Sequence, residues 1–440
     1  MARYTSLISG LVLLLCLVFA VGLISGVRKL APYHWAKQVQ DVFEEMPNVL
    51  GTRPTHWTKP RQYDGKGVTQ HRAASAGDEV IMLQGLFDGQ HEIRLIEQDG
   101  SVLRRWPFSP GELTEGVSHL KNRPLVDWNY DSHGSAMLAD GSVVFNIDQI
   151  ALVKLDRCGE RVWRVDARAH HSVEPADDGT IWVSSSIHHV DSSPLPAWLF
   201  RPPYAEDTLL QVSADGEVVK EISLIEVFVK NDAWGLLTVA GGPDTATYAA
   251  ARPDIDRELF HLNDVEALPA SLADAFPQFE AGDLLVSVRN RNLVLVIDPE
   301  TLEIKWHSVG PWIRQHDPDW HGSGTIRTFD NNREGPGDGE SLGRSRIIET
   351  NPVANTHRVL LGSGSDPNFY TKRRGKHQQL PHGRILATEA ETGRVFITDS
   401  NNAIVWEYHN AFDDSYAARI SEARAYPRDY FAVKNWNCPN

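Results

Sequence analysis

Four histidines recur at one position relative to the glycine turns of this chain. His133, His171 and His316 each lie eight residues before a glycine that precedes an apolar stretch, and His261 begins the corresponding segment before Gly282. A neutral imidazole is a nucleophile and a proton carrier near pH 7, because its unperturbed pKa is about 6.5. Side chains in one phase of a repeated unit occupy equivalent places in the fold. The spacing therefore predicts that the four rings meet in one site suited to group transfer or acid–base chemistry.

Converging imidazoles are also a common metal-binding arrangement. Metal sites built from histidine often show histidine and carboxylate residues at helical or hairpin spacing, and the sequence has no clear pattern of this kind. The carboxylates nearest in sequence are Asp317, beside His316, and Asp264, near His261. We therefore predict no metal ligand and no cofactor. For any single histidine, a structural role in a turn or between repeats stays open.

Two alternating sequence patterns indicate the elements that must position the histidines. In the first, an Asp or Gly turn leads into an apolar stretch that ends in tryptophan, at Trp106, Trp163, Trp306 and Trp406, with weaker copies in ADGEVVKEI and RSRIIETNPV. In the second, a turn glycine precedes a strand-like segment, in the copies GDEVIML, GSVVFNI, GTIWVSS, GDLLVSV, GTIRTFD and GRILATE. Six copies of a four-stranded repeat predict an all-β fold, a six-bladed β-propeller. Seven blades, or a pair of β-sandwiches, are the alternatives.

The propeller fold explains how the histidines would meet. The first strand of each blade lines the central channel of a propeller, and its start lies at one mouth of that channel. The shared phase therefore predicts that the histidines converge there. In the two other blades the same position holds Thr69 and Gly375.

The N-terminal segment has the length and composition of a transmembrane helix. Residues 7–27 form a nearly unbroken apolar run, and about 20 apolar residues span a bilayer as a helix. No clear small-residue cleavage site follows, which favours an uncleaved anchor over a signal peptide. We predict an anchor over residues 1–29, a linker with a short helix over residues 30–60 and the propeller over residues 61–410. Residues 411–440 are predicted to form a helical tail that packs on the propeller.

Charge and cysteine content limit the partners and leave one pairing open. The net charge of −15 argues against nucleic acid as a partner, because binding to phosphate backbones needs a basic surface. An anionic substrate therefore needs a local positive pocket. Cys16 lies in the apolar run, whereas Cys158 and Cys438 can pair only if the fold brings them within bonding distance. The oligomeric state, a homo-oligomer included, also stays open.

Several segments combine these histidines with other recurring residues. They are HHSVEPADDGTIWVSSS, HLNDVEALP with the later GDLLVSVRNRNLVLVID, RQHDPDWHGSGTIRTFDN, and GKHQQLPHGRILATEAETGRVF, and they extend over most of residues 130–410. The specific part is the combination of His-x-Asn, a Ser-Val-Arg strand, and Gln-His before a Phe-Asp-Asn strand. In these motifs the chain resembles the bacterial arylsulfotransferase family. The resemblance implies a six-bladed propeller that uses a histidine nucleophile.

The resemblance also gives individual residues a role. His316, in the Gln-His match, corresponds to the residue that takes the sulfuryl group. The other predicted catalytic residues are His261, Arg289 and His171, with His170 as an adjacent rival for the last of these. Three further residues are predicted to contact the substrate: His133, Asn263 and His321.

The implied reaction moves a sulfuryl group from an aryl sulfate donor to a phenolic acceptor through a sulfohistidine, with ping-pong kinetics. The resemblance places the propeller on the periplasmic side of the inner membrane, behind a single span. The positive-inside rule, applied to Arg28, Lys29 and Lys37 after the span, instead places it in the cytoplasm. A non-catalytic binding platform at the membrane and a metal- or quinone-dependent enzyme are the alternative functions.

Overall fold

The computed structural model describes residues 2–28, 30–72, 77–192, 194, 202–238, 259–333 and 342–438. It divides into two compact units, Met1–Thr52 and Arg53–Asn440. Met1 and Lys29, which were the two ends of the predicted anchor, lie outside the described residues.

The N-terminal unit consists of two helices, α1 (Ala2–Arg28) and α2 (Ala31–Leu50). Within α1 the stretch Ile8–Arg28 is long and apolar enough to cross a membrane. The leucine, valine and isoleucine side chains of this stretch are exposed. Helix α2 begins with a proline in its first turn, where the missing N–H has no intrahelical partner to lose. The predicted short helix of the linker lies within α2.

The second unit is a six-bladed β-propeller in which every blade is an antiparallel sheet. From the innermost strand outward, blade 2 is β6 (Ser132–Met137), β7 (Val143–Ile147), β8 (Ala151–Leu155) and β9 (Arg161–Val165). Blade 3 is β10 (His170–Pro175), β11 (Ile181–His189), β12 (Tyr204–Val212) and β13 (Val218–Ser223). Blade 4 is β14 (Leu262–Ala267), β15 (Leu284–Val288), β16 (Leu293–Ile297) and β17 (Ile304–Val309).

The remaining blades follow the same order. Blade 5 is β18 (His316–His321), β19 (Thr325–Asp330), β20 (Arg346–Asn351) and β21 (Thr356–Leu361). Blade 6 is β22 (Lys376–Leu380), β23 (Arg384–Glu389), β24 (Arg394–Thr398) and β25 (Ile404–His409), with β2 (Gly67–His71) as a fifth, outermost strand. Blade 1 is β27 (Ile420–Tyr426), β3 (Val80–Phe87), β4 (Gln90–Ile96) and β5 (Val102–Phe108).

The innermost strands β6, β10, β14, β18, β22 and β27 contact one another in that order and close the ring at β6. They therefore line a central channel. A small two-stranded sheet, β1 (Thr58–Pro60) with β26 (Tyr416–Ala418), lies outside the blades. The described short helices are α3 (Pro110–Leu113), α4 (Leu224–Lys230), α5 (Trp234–Thr238) and α6 (Ala270–Ala273).

Two predictions about the chain ends are wrong. The segment 411–440 is not a helical tail, because Ile420–Tyr426 forms β27, the innermost strand of blade 1, and the propeller therefore extends past residue 410. Strand β3 offers an unpaired edge to the channel, and pairing with it overrides the local helical spacing. Thr69 consequently does not face the channel, since it lies in β2 on the outer edge of blade 6.

The tryptophan pattern marks the outermost strands and connects neighbouring blades. The indole N–H groups of Trp106, Trp163 and Trp406 donate to carbonyl oxygens of Asp156, Ala214 and Gln98, which lie in turns of the next blade around the ring. The weak copy RSRIIETNPV is instead the third strand of blade 5. Apolar side chains pack between the faces of adjacent blades and form the core.

Cys158 and Cys438 form a disulfide, which answers the pairing question that the sequence left open. The bridge connects the turn between β8 and β9 to the C-terminal segment. The third cysteine, Cys16, is free and exposed on α1.

Candidate active site

The innermost strands begin irregularly at the channel end where the histidines lie. In blades 2 to 5 the pairing of the first strand with the second shifts register within its first residues, as in a β-bulge. Such a bulge re-aims a side chain that would otherwise follow the pleat. His171 and His261 adopt left-handed backbone conformations, with φ of 57° and 58°, which non-glycine residues rarely do outside special sites.

Two glycines make the close packing at this end of the channel feasible. A Cβ atom on Gly134 would overlap the carbonyl oxygen of His171, so only glycine lets β6 approach β10 this closely. Gly375, at the histidine position of blade 6, has φ of 92°, and a Cβ there would overlap the ring of Phe329. Blade 6 therefore has no room for a fifth channel histidine at that position.

The four predicted histidines come together at the channel mouth. The ring centroid of His171 lies 4.3 Å from that of His133, 4.9 Å from that of His261 and 6.0 Å from that of His316. The rings of His133 and His316 are 6.5 Å apart. His261 is half-buried and the other three are buried. His171 is thus the central member of the cluster.

Buried asparagines from the second strands fix the starts of the innermost strands. Asn146 accepts from the backbone N–H of His133 and donates to the carbonyl oxygen of His171, at 3.3 and 2.6 Å. Asn331 plays the corresponding part between blades 5 and 6, where its Nδ2 donates to the carbonyl oxygens of Thr371 and Arg374, both at 2.8 Å. These amides bridge adjacent blades at the level of the histidine rings.

Asn331 also determines the tautomer of His316. Its Oδ1 lies 2.6 Å from Nδ1 of His316. Because Nδ2 of the same amide already donates to two carbonyl oxygens, the atom facing the ring must be the oxygen, which can only accept. Nδ1 of His316 therefore carries the hydrogen. In the neutral ring this leaves the lone pair on Nε2, which is the form that a nucleophile requires.

Burial favours the neutral form of three of the clustered imidazoles, those of His133, His171 and His316, because it lowers their pKa. It lowers the pKa of His316 well below 6.5, and the positive charge of Arg289 lowers it further. Burial followed by the neighbouring His133 and His261 lowers the pKa of His171. For His133, burial and then the guanidinium of Arg374 have the same effect on the pKa.

Positive charge surrounds the cluster, as an anionic substrate needs. Arg289 is almost fully buried at the end of β15, and its backbone N–H donates to the carbonyl oxygen of His261. Arg374 and Arg419 are buried beside His133 and share the carboxylate of Asp131. Three guanidiniums opposed by two carboxylates, those of Asp131 and Asp148, leave this mouth with an excess of positive charge within an acidic protein.

The remaining predicted residues lie close to the cluster or away from it. The ring of His170 lies nearly perpendicular to that of His171, with the two Nδ1 atoms 2.7 Å apart, and His171 is the one of the pair that contacts the other three rings. Asn263 donates to the backbone oxygen of Gln315 and thereby holds the residue before His316. His321 lies at the opposite end of β18 and hydrogen-bonds to Ser323, so the structure does not bring it to the cluster.

One group within the cluster has the spacing of metal ligands. His133, Asp148 and His171 place potential ligand atoms within 4.8 Å of one another, and all three residues are buried. The surrounding guanidiniums oppose a cation at this position and favour an anion. The side chains could therefore bind a metal ion, whereas the surrounding charge favours an anionic ligand.

The family assignment follows from the sequence match around this site. The model of the family described as arylsulfotransferase (ASST) matches residues 134–411, which include His171, His261, Arg289 and His316. The chain belongs to the arylsulfotransferase family. No curated protein matches it.

Several solved structures are similar to this arylsulfotransferase-family chain at low sequence identity, and among the three named here only the first supports a shared fold. A protein of unknown function from Bacteroides caccae has a TM-score of 0.50 and 13% identity, over 79% of this chain and 98% of that chain. The β-propeller domain of Cps50 (Swd1) from Myceliophteria thermophila has a TM-score of 0.39 and 8% identity, over 80% and 88%. A nidogen/laminin complex has a TM-score of 0.38 and 11% identity, over 76% and 94%.

Sequence reasoning missed several residues of this arylsulfotransferase-family site. Asn331 stands in the Phe-Asp-Asn motif, so its position was recognised but its contact with His316 was not. Asn146, Arg374 and Arg419 lie outside the histidine phase. Arg419 directly precedes β27 and enters the site only because the C-terminal strand closes the ring.

Proposed function

We propose that this chain is an aryl sulfotransferase that transfers the sulfuryl group of an aryl sulfate to a phenolic acceptor through a sulfohistidine on His316. The observation that carries the proposal is the fixed ring of His316. Its Nδ1–H is held by Asn331, its pKa is lowered by burial, and the charge of Arg289 acts on it. A neutral imidazole with a defined lone pair beside a guanidinium fits attack on an anionic sulfate ester.

In the first half-reaction Nε2 of His316 attacks sulfur in line with the leaving oxygen. The N–S bond forms, the S–O bond to the aryl group breaks, and the electron pair stays on the aryl oxygen, which leaves as a phenolate. The imidazole ring of the sulfated histidine is positively charged. The hydrogen bond that its Nδ1–H donates to Asn331 stabilises this charge.

Peripheral oxygens carry negative charge in this displacement, and fixed donors stabilise it. Arg289 is suited to this task because its planar guanidinium stays charged and presents two parallel N–H groups. His261 and His133 flank the same space and are assigned as further hydrogen-bond donors to these oxygens. Donors that are held in place before the reaction cost no reorganisation at the moment of transfer.

His171 is assigned the proton that the phenolate needs. A bound sulfate ester is an anion, and its charge favours protonation of one imidazole of the cluster. His171 is central among the rings and contacts His170, which can share that proton across 2.7 Å. His171 gives the proton to the leaving phenolate oxygen. In the second half-reaction it takes a proton from the acceptor phenol as that oxygen attacks sulfur and the N–S bond breaks.

The decisive experiment is detection of the intermediate. The full-length protein is mixed with 4-nitrophenyl sulfate without acceptor, and peptides that contain His316 are examined by mass spectrometry under alkaline conditions. We expect a mass increase of one sulfuryl group on His316, and phenol should discharge it. The variant His316→Ala should give neither adduct nor nitrophenol, whereas His307→Ala, which removes an exposed histidine of β17, should behave as the unaltered protein.

The competing function, a non-catalytic binding platform, predicts a different outcome. Folded protein that forms no adduct from a series of aryl sulfates, and that releases no phenol, would reject the enzyme. An adduct on His171 or His261 with His316 unmodified would keep the activity but reject the assignment of the nucleophile.

We also propose that α1 is a single-pass anchor in the inner membrane and that the propeller lies on the periplasmic side. The disulfide between Cys158 and Cys438 supports this orientation, because such bonds persist in oxidising compartments. The positive residues after the span favour the opposite orientation. Protease added to spheroplasts of a Gram-negative host should digest the propeller if it lies outside the inner membrane. Protection until the membrane is permeabilised would overturn the proposal.

A further inference from the structure

The central channel contains a second polar site on the side away from the histidine cluster. A cavity of about 220 Å³ lies between the later parts of the innermost strands. Its walls include Glu266, Asp319, His377 and Glu174. Lys376 lies between the two halves of the channel, since it pairs with Asp317 at 2.7 Å and its charge also lowers the pKa of His316.

Negative charge in and beside this cavity exceeds positive charge. Five carboxylates line it, namely Glu174, Glu266, Asp317, Asp319 and Glu422, and the carboxylate of Asp264 interacts with two of them from beside the cavity. The opposing cations are already engaged: Lys376 contacts Asp317, Arg424 binds Glu174 at 2.8 Å and Arg327 binds Glu349 at 2.8 Å. Within the described part of the chain, neither Glu266 nor Asp319 has a lysine or arginine within salt-bridge distance.

Burial makes this excess unfavourable. It raises the pKa of Glu266, and the charge of Glu174 raises it further. Burial also raises the pKa of Asp319, and the negative charge of Asp317 raises it further. Buried carboxylates stay ionised only when a cation or hydrogen-bond donors compensate them. A cation between these half-buried carboxylates would offset their mutual repulsion.

His377 adds a potential metal ligand to these carboxylates. Its Nδ1 lies 3.1 Å from Oδ2 of Asp317, whose carboxylate also accepts from the backbone N–H of the same histidine. Nδ1 therefore carries a hydrogen, and Nε2 is the ring atom that is turned away from Asp317. His377 is 95% buried, and no described atom forms a hydrogen bond with Nε2. This nitrogen lies 3.6 Å from Oδ2 of Asp319, so a buried ring nitrogen without a hydrogen bond stands beside a carboxylate of the cavity wall.

We propose that this cavity binds a divalent cation of the Zn²⁺ or Mn²⁺ type, with Nε2 of His377 and the carboxylate of Asp319 as ligands and Glu266 as a third. Asp317 orients His377 as the carboxylate partner of a metal-bound imidazole usually does. The site belongs to blades 4, 5 and 6 and stands apart from the proposed sulfuryl-transfer residues.

The observed spacing agrees with a shared metal ion. Ligand atoms at about 2.1 Å from a tetrahedral Zn²⁺ lie about 3.4 Å from each other. The 3.6 Å between Nε2 of His377 and Oδ2 of Asp319 is close to this value and too long for a hydrogen bond between them. Asp317, Asp319 and His377 place their potential ligand atoms within 4.8 Å. A mixed set of imidazole and carboxylate ligands favours Zn²⁺ or Mn²⁺ over Mg²⁺.

Metal binding can be measured directly on the full-length protein in detergent. Metal content is determined by mass spectrometry of the elements, and chelator-treated protein is then titrated with Zn²⁺ or Mn²⁺ by calorimetry. We expect a single saturable site per chain. His377→Gln and Asp319→Asn should each weaken binding by at least about tenfold, as loss of a ligand contact does. His307→Gln, an exposed histidine on another blade, should leave binding unchanged.

Spectroscopy on the unaltered protein keeps the proposal testable if the variants do not fold. Mn²⁺ bound at this site should show magnetic coupling to one imidazole nitrogen. Chelated, folded protein that binds neither ion saturably would overturn the proposal, and so would binding that both variants retain. The sulfohistidine experiment on His316 reports on the other half of the channel, so failure of one proposal does not imply failure of the other.

Discussion

Replacement of Asn331 by leucine tests whether the tautomer of His316 controls transfer. Leucine has a similar size but removes the oxygen that accepts from Nδ1 of His316 at 2.6 Å. A buried donor left without its acceptor costs about 1–3 kcal/mol. The tautomer with its lone pair on Nε2 should therefore become less populated by a factor of about 5 to 150. We expect kcat to fall by this factor while KM changes little, since the substrate contacts stay in place.

The assay monitors the rapid release of 4-nitrophenol in the first half-reaction with a stopped-flow spectrophotometer. Asn331→Asp should recover much of the rate, because a carboxylate oxygen accepts the same hydrogen bond. Asn410→Leu is the matched control, since Asn410 is buried and also donates to two backbone oxygens, those of Leu86 and Ala418. It should lower the free energy of unfolding without changing the rate per folded molecule.

Two results would refute the reasoning about Asn331. The first is a folded Asn331→Leu protein that releases nitrophenol as fast as the unaltered protein. The second is an Asn331→Asp protein no faster than the leucine variant, which would mean that the amide acts only through its bonds to Thr371 and Arg374.

Further predictions concern the other groups of the site and the disulfide. His171→Phe should slow transfer from phenyl sulfate about 10²-fold more than transfer from 4-nitrophenyl sulfate, because only a poor leaving group needs its proton; equal slowing would contradict that role. Arg289→Ala should lower kcat about 10²–10³-fold, with partial recovery in Arg289→Lys, as steady-state kinetics would show. Nitrophenol release should stay constant from pH 8 down through 6.5, because the pKa of His316 in the folded protein lies well below 6.5; a midpoint at 6.5 would contradict this. The same lowered pKa values of His133, His171 and His316 imply that the folded protein loses stability as pH falls below 6.5, where only the unfolded chain takes up protons, and denaturant titrations would measure the loss. Replacing Cys158 and Cys438 together by alanine should lower the free energy of unfolding by about 2–5 kcal/mol and leave kcat unchanged.

The repeated part of the fold was predictable because each blade carries its own local signals. The glycine turns mark all six second strands, and the tryptophans mark most of the fourth strands because they donate to the next blade. The spacing of His133, His171 and His316, each eight residues before a turn glycine, is likewise a local signal, and it predicted that these residues meet at the channel mouth. In a repeat protein, residues at the same place in each repeat occupy equivalent places in the fold, so they can be identified before any long-range contact is known.

The features that sequence reasoning missed depend on contacts between distant segments. Strand β27 forms because β3, more than 330 residues earlier, offers an unpaired edge. His321 shares a strand with His316, but a strand of six residues separates its ends by about 16 Å, so nearness in sequence misled the prediction. The pairing of His377 with Asp317, 60 residues apart, likewise has no local signal.

Closure of the ring by β27 means that the propeller is completed by the last of its described strands to be synthesised. Blades 2 to 5 hold all four channel histidines. The ring nevertheless stays open until Ile420–Tyr426 pairs with β3 and Arg419 forms its ion pair with Asp131. A chain that stops before residue 420 therefore contains every histidine of the site but leaves the inner edge of β3 exposed to pairing with other chains. Incomplete synthesis thus produces an aggregation-prone fragment instead of a partly active one. The site is therefore complete only in molecules in which β27 has paired with β3.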